Sequence, residues 1–201
     1  MCELEKMLAG EVFDGNDQSI AVLRNQGQFY LTQLNQTPNS DTEQRTKICQ
    51  QLFAAFDETS LIRSPFVCEF GSNIIIGQNT LINFQVTILD VSSVIIGNNV
   101  LIAPNVQLYT ASHPLNTKQR RKWEVYGKPI VIEDDVWLGG GVIVCPGMKI
   151  GQGSVIGAGA VVTQSIPEGV LAAGNPCRII RSLTKEEMNT SAPNDVTAMT
   201  G

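Results

Sequence analysis

Hydrophobic positions in the second half of the chain recur every six residues. The series runs Ile132, Leu138, Val144, Ile150, Ile156 and Val162, all branched aliphatics. The residue after each is small or acidic: Glu133, Gly139, Cys145, Gly151 and Gly157. Two places further on stand Asp135, Gly141, Gly147, Gly153 and Gly159. A period of six matches neither the 3.6 of a helix nor the 2 of a strand. It predicts a short strand, a corner and another short strand, with the aliphatic side chain turned into a shared core. Gly, Asn or Asp at each corner tolerates the positive φ of a tight turn. Traced upstream, the frame holds at Phe70, Ile76, Ile82 and Ile88, with Asn73, Asn79 and Gln85 at the corners. After a slip of two residues it resumes at Ile96, Ile102 and Leu108, with corners Asn99 and Asn105. Repetition of this kind marks a solenoid whose coils bury one another.

These dozen registered repeats resemble the hexapeptide-repeat acyltransferase family. The resemblance implies an all-β fold, a left-handed parallel β-helix with three hexapeptides per triangular coil. That handedness is opposite to the usual crossover rule, so it rests on the resemblance alone. The helical solenoid is expected over 61–183, interrupted at 109–129, where the aliphatic rhythm lapses. Leu108 and Ile132 remain a multiple of six apart, so the insertion is expected to take the place of regular coil. A loop of that length inside a tightly wound solenoid points to function.

Residues 1–60 have helical habits instead. Glu3 to Ala9 predicts one or two turns stopped by Gly10. Asp17 or Ser19 caps a second helix running to about Leu34, with Ile20, Leu23, Arg24, Tyr30 and Leu34 on its face. Asp41 starts a third, with Ile48, Leu52, Phe53 and Phe56 at helical spacing. Too small to hold a large core alone, this segment is expected to pack on the solenoid's flank and shape an acceptor pocket. Its start, Glu5-Lys6-Met7-Leu8-Ala9-Gly10-Glu11 followed by Phe13, is similar to that of the maltose and galactoside O-acetyltransferases within the family. At the other end, Ser182 to Asn189 suggests a short amphiphilic helix. The tail 184–201 is small and polar from Thr190 and is expected to be partly disordered.

Charge and composition narrow the function. The balance is −5 over 201 residues, with no basic run beyond Lys118 to Lys122, which argues against nucleic acid as a partner. No apolar run approaches the ~20 residues of a bilayer span, and Met1 to Gly10 has no signal-peptide core. Five cysteines at irregular spacing, Cys2, Cys49, Cys68, Cys145 and Cys177, form neither a disulfide framework nor a zinc pattern. A cytoplasmic location without a metal is the expectation.

The single histidine, His113, sits in Thr110-Ala111-Ser112-His113-Pro114 at the mouth of the 109–129 loop. That segment is similar to the catalytic histidine motif of the maltose and galactoside enzymes, which implies acetyl transfer from acetyl-CoA to a sugar hydroxyl. Such a hydroxyl must lose its proton as it attacks, and an imidazole can accept it near neutral pH. The tetrahedral intermediate needs a pre-aimed donor. By resemblance Gly140, within Gly139-Gly140-Gly141, presents its amide to the thioester, while Gly141 reads as corner geometry. The same resemblance assigns acceptor contacts to Asn83, Asp90, Glu69 and Asp17, with Asp14 close to the last place. Glu69 stands where maltose-type enzymes carry Asp and galactoside-type ones Ser. Glu124, in the loop, is expected to bond the second nitrogen of His113. On the cofactor side, Trp137 would wall the pantetheine channel, Ala158 and Thr163 would contact pantetheine and adenine portions, and Arg178 and Arg181 would meet CoA phosphates. The last two border Gly174-Asn175-Pro176-Cys177-Arg178, which resembles the family's closing segment. Cys145 and Cys177 read as structural. The family forms homotrimers with active sites between subunits.

Three rival readings fit the sequence less well. A serine or antibiotic acetyltransferase shares the chemistry, but the N-terminal segment does not fit either group. A hydratase on this fold takes three histidines on zinc, and the chain has one. A non-catalytic scaffold would be favoured by loss of the loop histidine or the closing arginines, and both are present.

Overall fold

A computed structural model describes residues 1–188. Three parallel sheets form the faces of a triangular β-helix. The first contains Ala55–Phe56, Ile74–Ile76, Val94–Ile96, Ile130–Ile132 and Lys149–Ile150. The second contains Leu61–Ile62, Leu81–Ile82, Leu101–Ile102, Trp137–Leu138, Val155–Ile156 and Val170–Ala173, closed by the antiparallel strand Arg178–Ser182. The third contains Phe66–Cys68, Val86–Leu89, Gln107–Tyr109, Ile143–Val144 and Val161–Val162. The chain visits them in that order, coil after coil.

The six-residue aliphatics become three internal columns. Ile76, Ile96, Ile132 and Ile150 stack in the first sheet. Ile82, Ile102, Leu138 and Ile156 stack in the second, and Ile88, Leu108, Val144 and Val162 in the third. All are at most 2% exposed. Each contributes roughly 1.5–3 kcal/mol of burial, so the repeat itself is the core. The corner residues Asn79, Gln85, Asn99, Asn105, Asp135, Gly141, Gly147, Gly153 and Gly159 all take positive φ, as the spacing predicts.

The frame fails at one place. Phe70 is not a column residue; Cys68 pairs with Ile88 in its stead, and the positive φ falls on Gly71 rather than Asn73. The third-to-first vertex therefore holds two additional residues in the first coil, as it does again between Ile88 and Ile96. The loop 109–129 leaves from this same vertex. It is inserted into one corner and does not replace coil: Leu108 and Ile132 still belong to adjacent faces of one turn.

The helices are α1 (Glu3–Leu8), α2 (Gln18–Gln36) and α3 (Thr42–Leu52). Gly10, with φ 73°, ends α1 by placing its N–H on Met7 O and that of Glu11 on Lys6 O. α2 lies along the first strand of the third sheet and satisfies it. The Asn35 carboxamide bonds both N–H and C=O of Phe66, and Gln28 Nε2 donates to Cys68 O and Glu69 O. Helix and solenoid touch so closely at Gly27 that a Cβ there would lie 2.1 Å from Phe70 O. Arg45 of α3 is a buried strap: its guanidinium donates to Leu34 O and Thr37 O at the end of α2, and to Ile62 O and Ser64 Oγ. Met7, Phe13, Ile20, Phe70, Val91 and Val125 form a second small core joining α1 and α2 to the 109–129 loop.

At the C-terminal end the expected helix from Ser182 is absent up to Met188. Ser182 ends a strand, a turn follows, and Met188 folds over Gly153 and Gly169, which explains the turn back onto the solenoid. Asn189 and the tail from Thr190 lie outside the described residues.

Candidate active site

The loop from the third-to-first vertex is built as a small antiparallel sheet. Ala111–Ser112 pairs with Glu124–Gly127, which pairs on its other side with Phe13–Asp14. His113 follows directly, one residue past the last pair, Ser112 with Tyr126. Its Nδ1 lies 2.9 Å from the Glu124 backbone oxygen. The expected partner was the Glu124 carboxylate; the antiparallel register brings up the main chain instead. A carbonyl only accepts, so in the neutral imidazole Nδ1 carries the proton and Nε2 the lone pair. The exposed ring borders a cleft of about 370 Å³.

Across that cleft Arg24 Nε donates to Glu69 Oε1 at 2.7 Å, and the guanidinium lies 5.5 Å from the Phe70 ring centroid. In sequence Arg24 is part of a helix face, and a cation among the apolar residues of that stripe is the one signal for it. Glu69 is held on every side. Gln28 takes its carbonyl and Asp90 takes its N–H at 2.9 Å.

That second contact corrects the reading of Asp90. Its carboxylate is fully buried and also accepts from the Phe70 N–H (2.9 Å) and the Asn73 N–H (3.4 Å). It faces neither the cleft nor solvent; it clamps the two-residue bulge that presents Glu69. Burial pushes its pKa up, against these amide hydrogen bonds. Asp17 is likewise occupied, as the N-cap of α2: one oxygen accepts from Ser19 N at 2.9 Å, and bonding to Ser19 draws its pKa down. Its neighbours Gly15 and Asn16 line the cleft in its place.

Asn83, Gly140 and Ala158 stand at a different vertex, between the second and third sheets. Asn83 does not line the His113 cleft, and its carboxamide accepts from the Phe84 N–H at 2.8 Å. Phe84, Pro104, Gly140 and Ala158 form one column, its carbonyls bonded coil to coil by Asn105, Gly141 and Gly159. Their outward N–H groups differ. Phe84's is capped by Asn83, Pro104 has none, and those of Gly140 and Ala158 find no acceptor among the described residues. Gly140 has no positive φ, and a Cβ there would meet only Pro104 O, at 3.5 Å. Gly141, with φ 69° at the neighbouring corner, is the conformational glycine. Trp137 stands half exposed on the outer face of the second sheet, between Leu101 and Val155.

Of the remaining residues, Thr163 is exposed at the third-to-first vertex, one coil beyond Cys145. Arg178 is exposed and donates to Cys177 O at 2.8 Å. Arg181 is engaged by Glu187 through two bonds of 2.8 Å, and that pair holds the Glu187 carboxyl down at about 2. Its charge is therefore already answered within the chain. Buried Cys49 and Cys68 have thiols pushed up by desolvation, Cys49 to about 12, which leaves them inert. No described helix is long and apolar enough to cross a membrane.

A hexapeptide β-helix with a histidine loop at one vertex and open amides at another has the architecture of an acyltransferase. Residues 6–57 match the maltose acetyltransferase hexapeptide capping motif, and residues 129–164 match the bacterial transferase hexapeptide, six repeats. The galactoside O-acetyltransferase of Escherichia coli is 40% identical over 183 residues, 91% of this chain and 90% of that protein. A maltose O-acetyltransferase from Clostridium difficile superposes with TM-score 0.90 at 41% identity, covering 92% and 99% of the two chains. A hexapeptide-repeat acetyltransferase from Vibrio cholerae, solved with acetyl-CoA, gives 0.85 at 46% identity, covering 92% and 100%. The chain belongs to the hexapeptide-repeat acyltransferases, in the maltose and galactoside O-acetyltransferase subgroup, and shares their left-handed parallel β-helix.

Proposed function

We propose that this chain moves acetyl from acetyl-CoA to a hydroxyl of a sugar or sugar-like acceptor, with His113 as general base. The observation that carries the reading is the 2.9 Å contact of His113 Nδ1 with the Glu124 carbonyl at the edge of a largely apolar cleft that also holds Arg24 and Glu69. It supports an imidazole whose Nε2 is free to take a proton. The acceptor hydroxyl gives that proton to Nε2 as its oxygen attacks the thioester carbon. Charge gathers on the carbonyl oxygen, where the open Gly140 N–H is the candidate donor. Collapse breaks the C–S bond, and the imidazolium returns the proton to the CoA thiolate.

Arg24 and Glu69 offer the acceptor fixed donors and acceptors, and Glu69 owes its position to Asp90. Asn83, Trp137, Ala158, Thr163 and Arg178 serve acceptor and CoA from the other surfaces. Arg181 joins them only if a phosphate outcompetes Glu187.

His113 and Gly140 occupy different vertices of one prism, so one copy does not complete the site; two neighbouring copies would. The outer face of the second sheet suits such an assembly. Leu61, Leu81, Leu101, Trp137, Val155 and Leu171 stand in register along it, and Leu61, Leu101 and Trp137 are 44–51% exposed. A column of that kind calls for cover, and a closed homotrimer supplies it with each cleft between subunits.

The test is release of CoA thiol from acetyl-CoA with glucose, maltose, a thiogalactoside, serine and chloramphenicol, for wild type and His113→Ala. Turnover of a sugar that drops ~10²–10⁴-fold in the variant is expected. Undiminished turnover would overturn the base assignment.

A further inference from the structure

The loop beside the cleft carries a charge that acetyl transfer to a neutral sugar does not use. Residues 114–123 hold Lys118, Arg120, Arg121 and Lys122 and no acid. The chain's formal charge is −5, so these four positive charges leave −9 on everything else. All four side chains are exposed, and among the described residues none is in an ion pair. Three follow one another, and Lys118 stands one helical turn from Arg121 and Lys122, where like charges repel.

Folding accounts for one of them. Arg120 Nη1 donates to Leu115 O at 2.7 Å and so closes the loop around the single turn α4 (Thr117–Arg120), whose N-cap is Asn116. Lys118, Arg121 and Lys122 have no such duty. Lys118 and Arg121 line one concavity of about 530 Å³ with Leu115, Asn116 and Thr117. Leu115 is two residues past His113, and Trp123, next to Lys122, lines the acceptor cleft itself. The nearest acids on this sheet, Glu124 and its strand partner Asp14, lie beyond Trp123 in register. The cations therefore form an unpaired lip on the loop that joins His113 to Trp123, both of which line the cleft.

Resting on the acetyl-transfer reading, we infer that this lip selects an acceptor bearing an anionic group, a phosphate or carboxylate, at the end of the sugar remote from the acetylated hydroxyl. Within the cleft Arg24 is already answered by Glu69, so the anion is read at the rim and the sugar hydroxyls inside. Two cations on one phosphate make charge-assisted hydrogen bonds, and approach is steered by a field that salt weakens.

The experiment compares methyl α-glucoside with α-glucose 1-phosphate, which share their hydroxyls and differ by the anion. Wild type and the K118Q/R121Q double variant are assayed for CoA release, and binding of each sugar is titrated calorimetrically. The expected result is a kcat/KM about tenfold or more higher for the phosphate at low salt, shrinking as NaCl rises. The double variant should erase that preference and leave the methyl glucoside rate and the KM for acetyl-CoA unchanged. Equal use of both sugars by wild type overturns the inference. So does a variant whose KM rises for acetyl-CoA alone, which would give the lip to the CoA phosphates. A variant whose oligomer falls apart in light scattering overturns it too, since the cations would then meet a second copy. If wild type acetylates neither sugar, acetyl transfer to these acceptors fails. Calorimetry then decides the lip separately: it stands if the phosphate binds wild type and not the variant, and falls otherwise.

Discussion

Replacing Gly140 by Pro would remove one hydrogen atom of consequence. The Gly140 N–H has no acceptor among the described residues, so the fold gives up no hydrogen bond with it. Its carbonyl, which accepts from Gly159 at 2.9 Å, is untouched. A Cβ there meets only Pro104 O, at 3.5 Å. Pro104 occupies the same place one coil earlier, and the restriction a proline imposes on its predecessor falls on Gly139, the residue best able to absorb it. A compatible proline stabilises by roughly 0.4–1 kcal/mol through the unfolded chain, so the midpoint of urea unfolding should stay level or rise slightly. Loss of an oxyanion donor, in contrast, costs about 2.7–4 kcal/mol of transition-state stabilisation, or 10²–10³ in kcat. Gly140→Ala keeps the N–H and should stay within about threefold, an effect of ~0.6 kcal/mol. The assay is CoA release under saturating acetyl-CoA, beside urea melts of all three proteins. A proline variant that turns over within about threefold of wild type would refute the donor role. A folded fraction that collapses would refute the claim that this N–H is idle in the fold.

The Arg45 strap gives a stability prediction: Arg45→Met leaves the Ile62 carbonyl without a partner and the Leu34 carbonyl with only the Ser64 hydroxyl at 3.2 Å, and the orphaned Ile62 oxygen alone costs about 1–3 kcal/mol. Urea melts should show a loss of that order, and Arg45→Lys, lacking the fork, should recover only part. Asp90 predicts a pH effect whose sign is fixed by its raised pKa: its contribution is full below the ordinary Asp value of 3.8 and is lost as pH rises through the folded value. Relative to Asp90→Asn, wild type should therefore weaken on going from pH 3.8 upward; a difference independent of pH would count against it. Glu69→Gln weakens the link to Arg24 and should raise the acceptor KM more than it lowers kcat, read from saturation curves. Among the cysteines, exposed Cys2 should react with a thiol reagent well before buried Cys49 and Cys68, checked by peptide mapping.

Much of this molecule was determined locally. A residue pointing inward every sixth place makes a coil whatever its neighbours are, so the period alone specified the columns and nearly all the corners. His113 was legible because a solenoid leaves its rhythm only where something else is built. The two-residue slip carried the same message about the third-to-first vertex. It marks the bulge after Ile88 that carries Asp90; the matching bulge after Cys68, which carries Glu69, stayed hidden because Phe70 falls in the six-residue frame yet belongs to the second core under the cleft. What tertiary structure decided were the partners. Whether an acid caps a helix, clamps a bulge or faces a substrate depends on which amides reach it, and those come from segments far away in sequence. Asp17, Asp90 and Glu124 are chemically alike on paper, and packing gave them a cap, a buried clamp and a lent backbone carbonyl. Arg24 reached the cleft because α2 crosses the solenoid at Gly27, a contact between surfaces forty residues apart that no local pattern encodes.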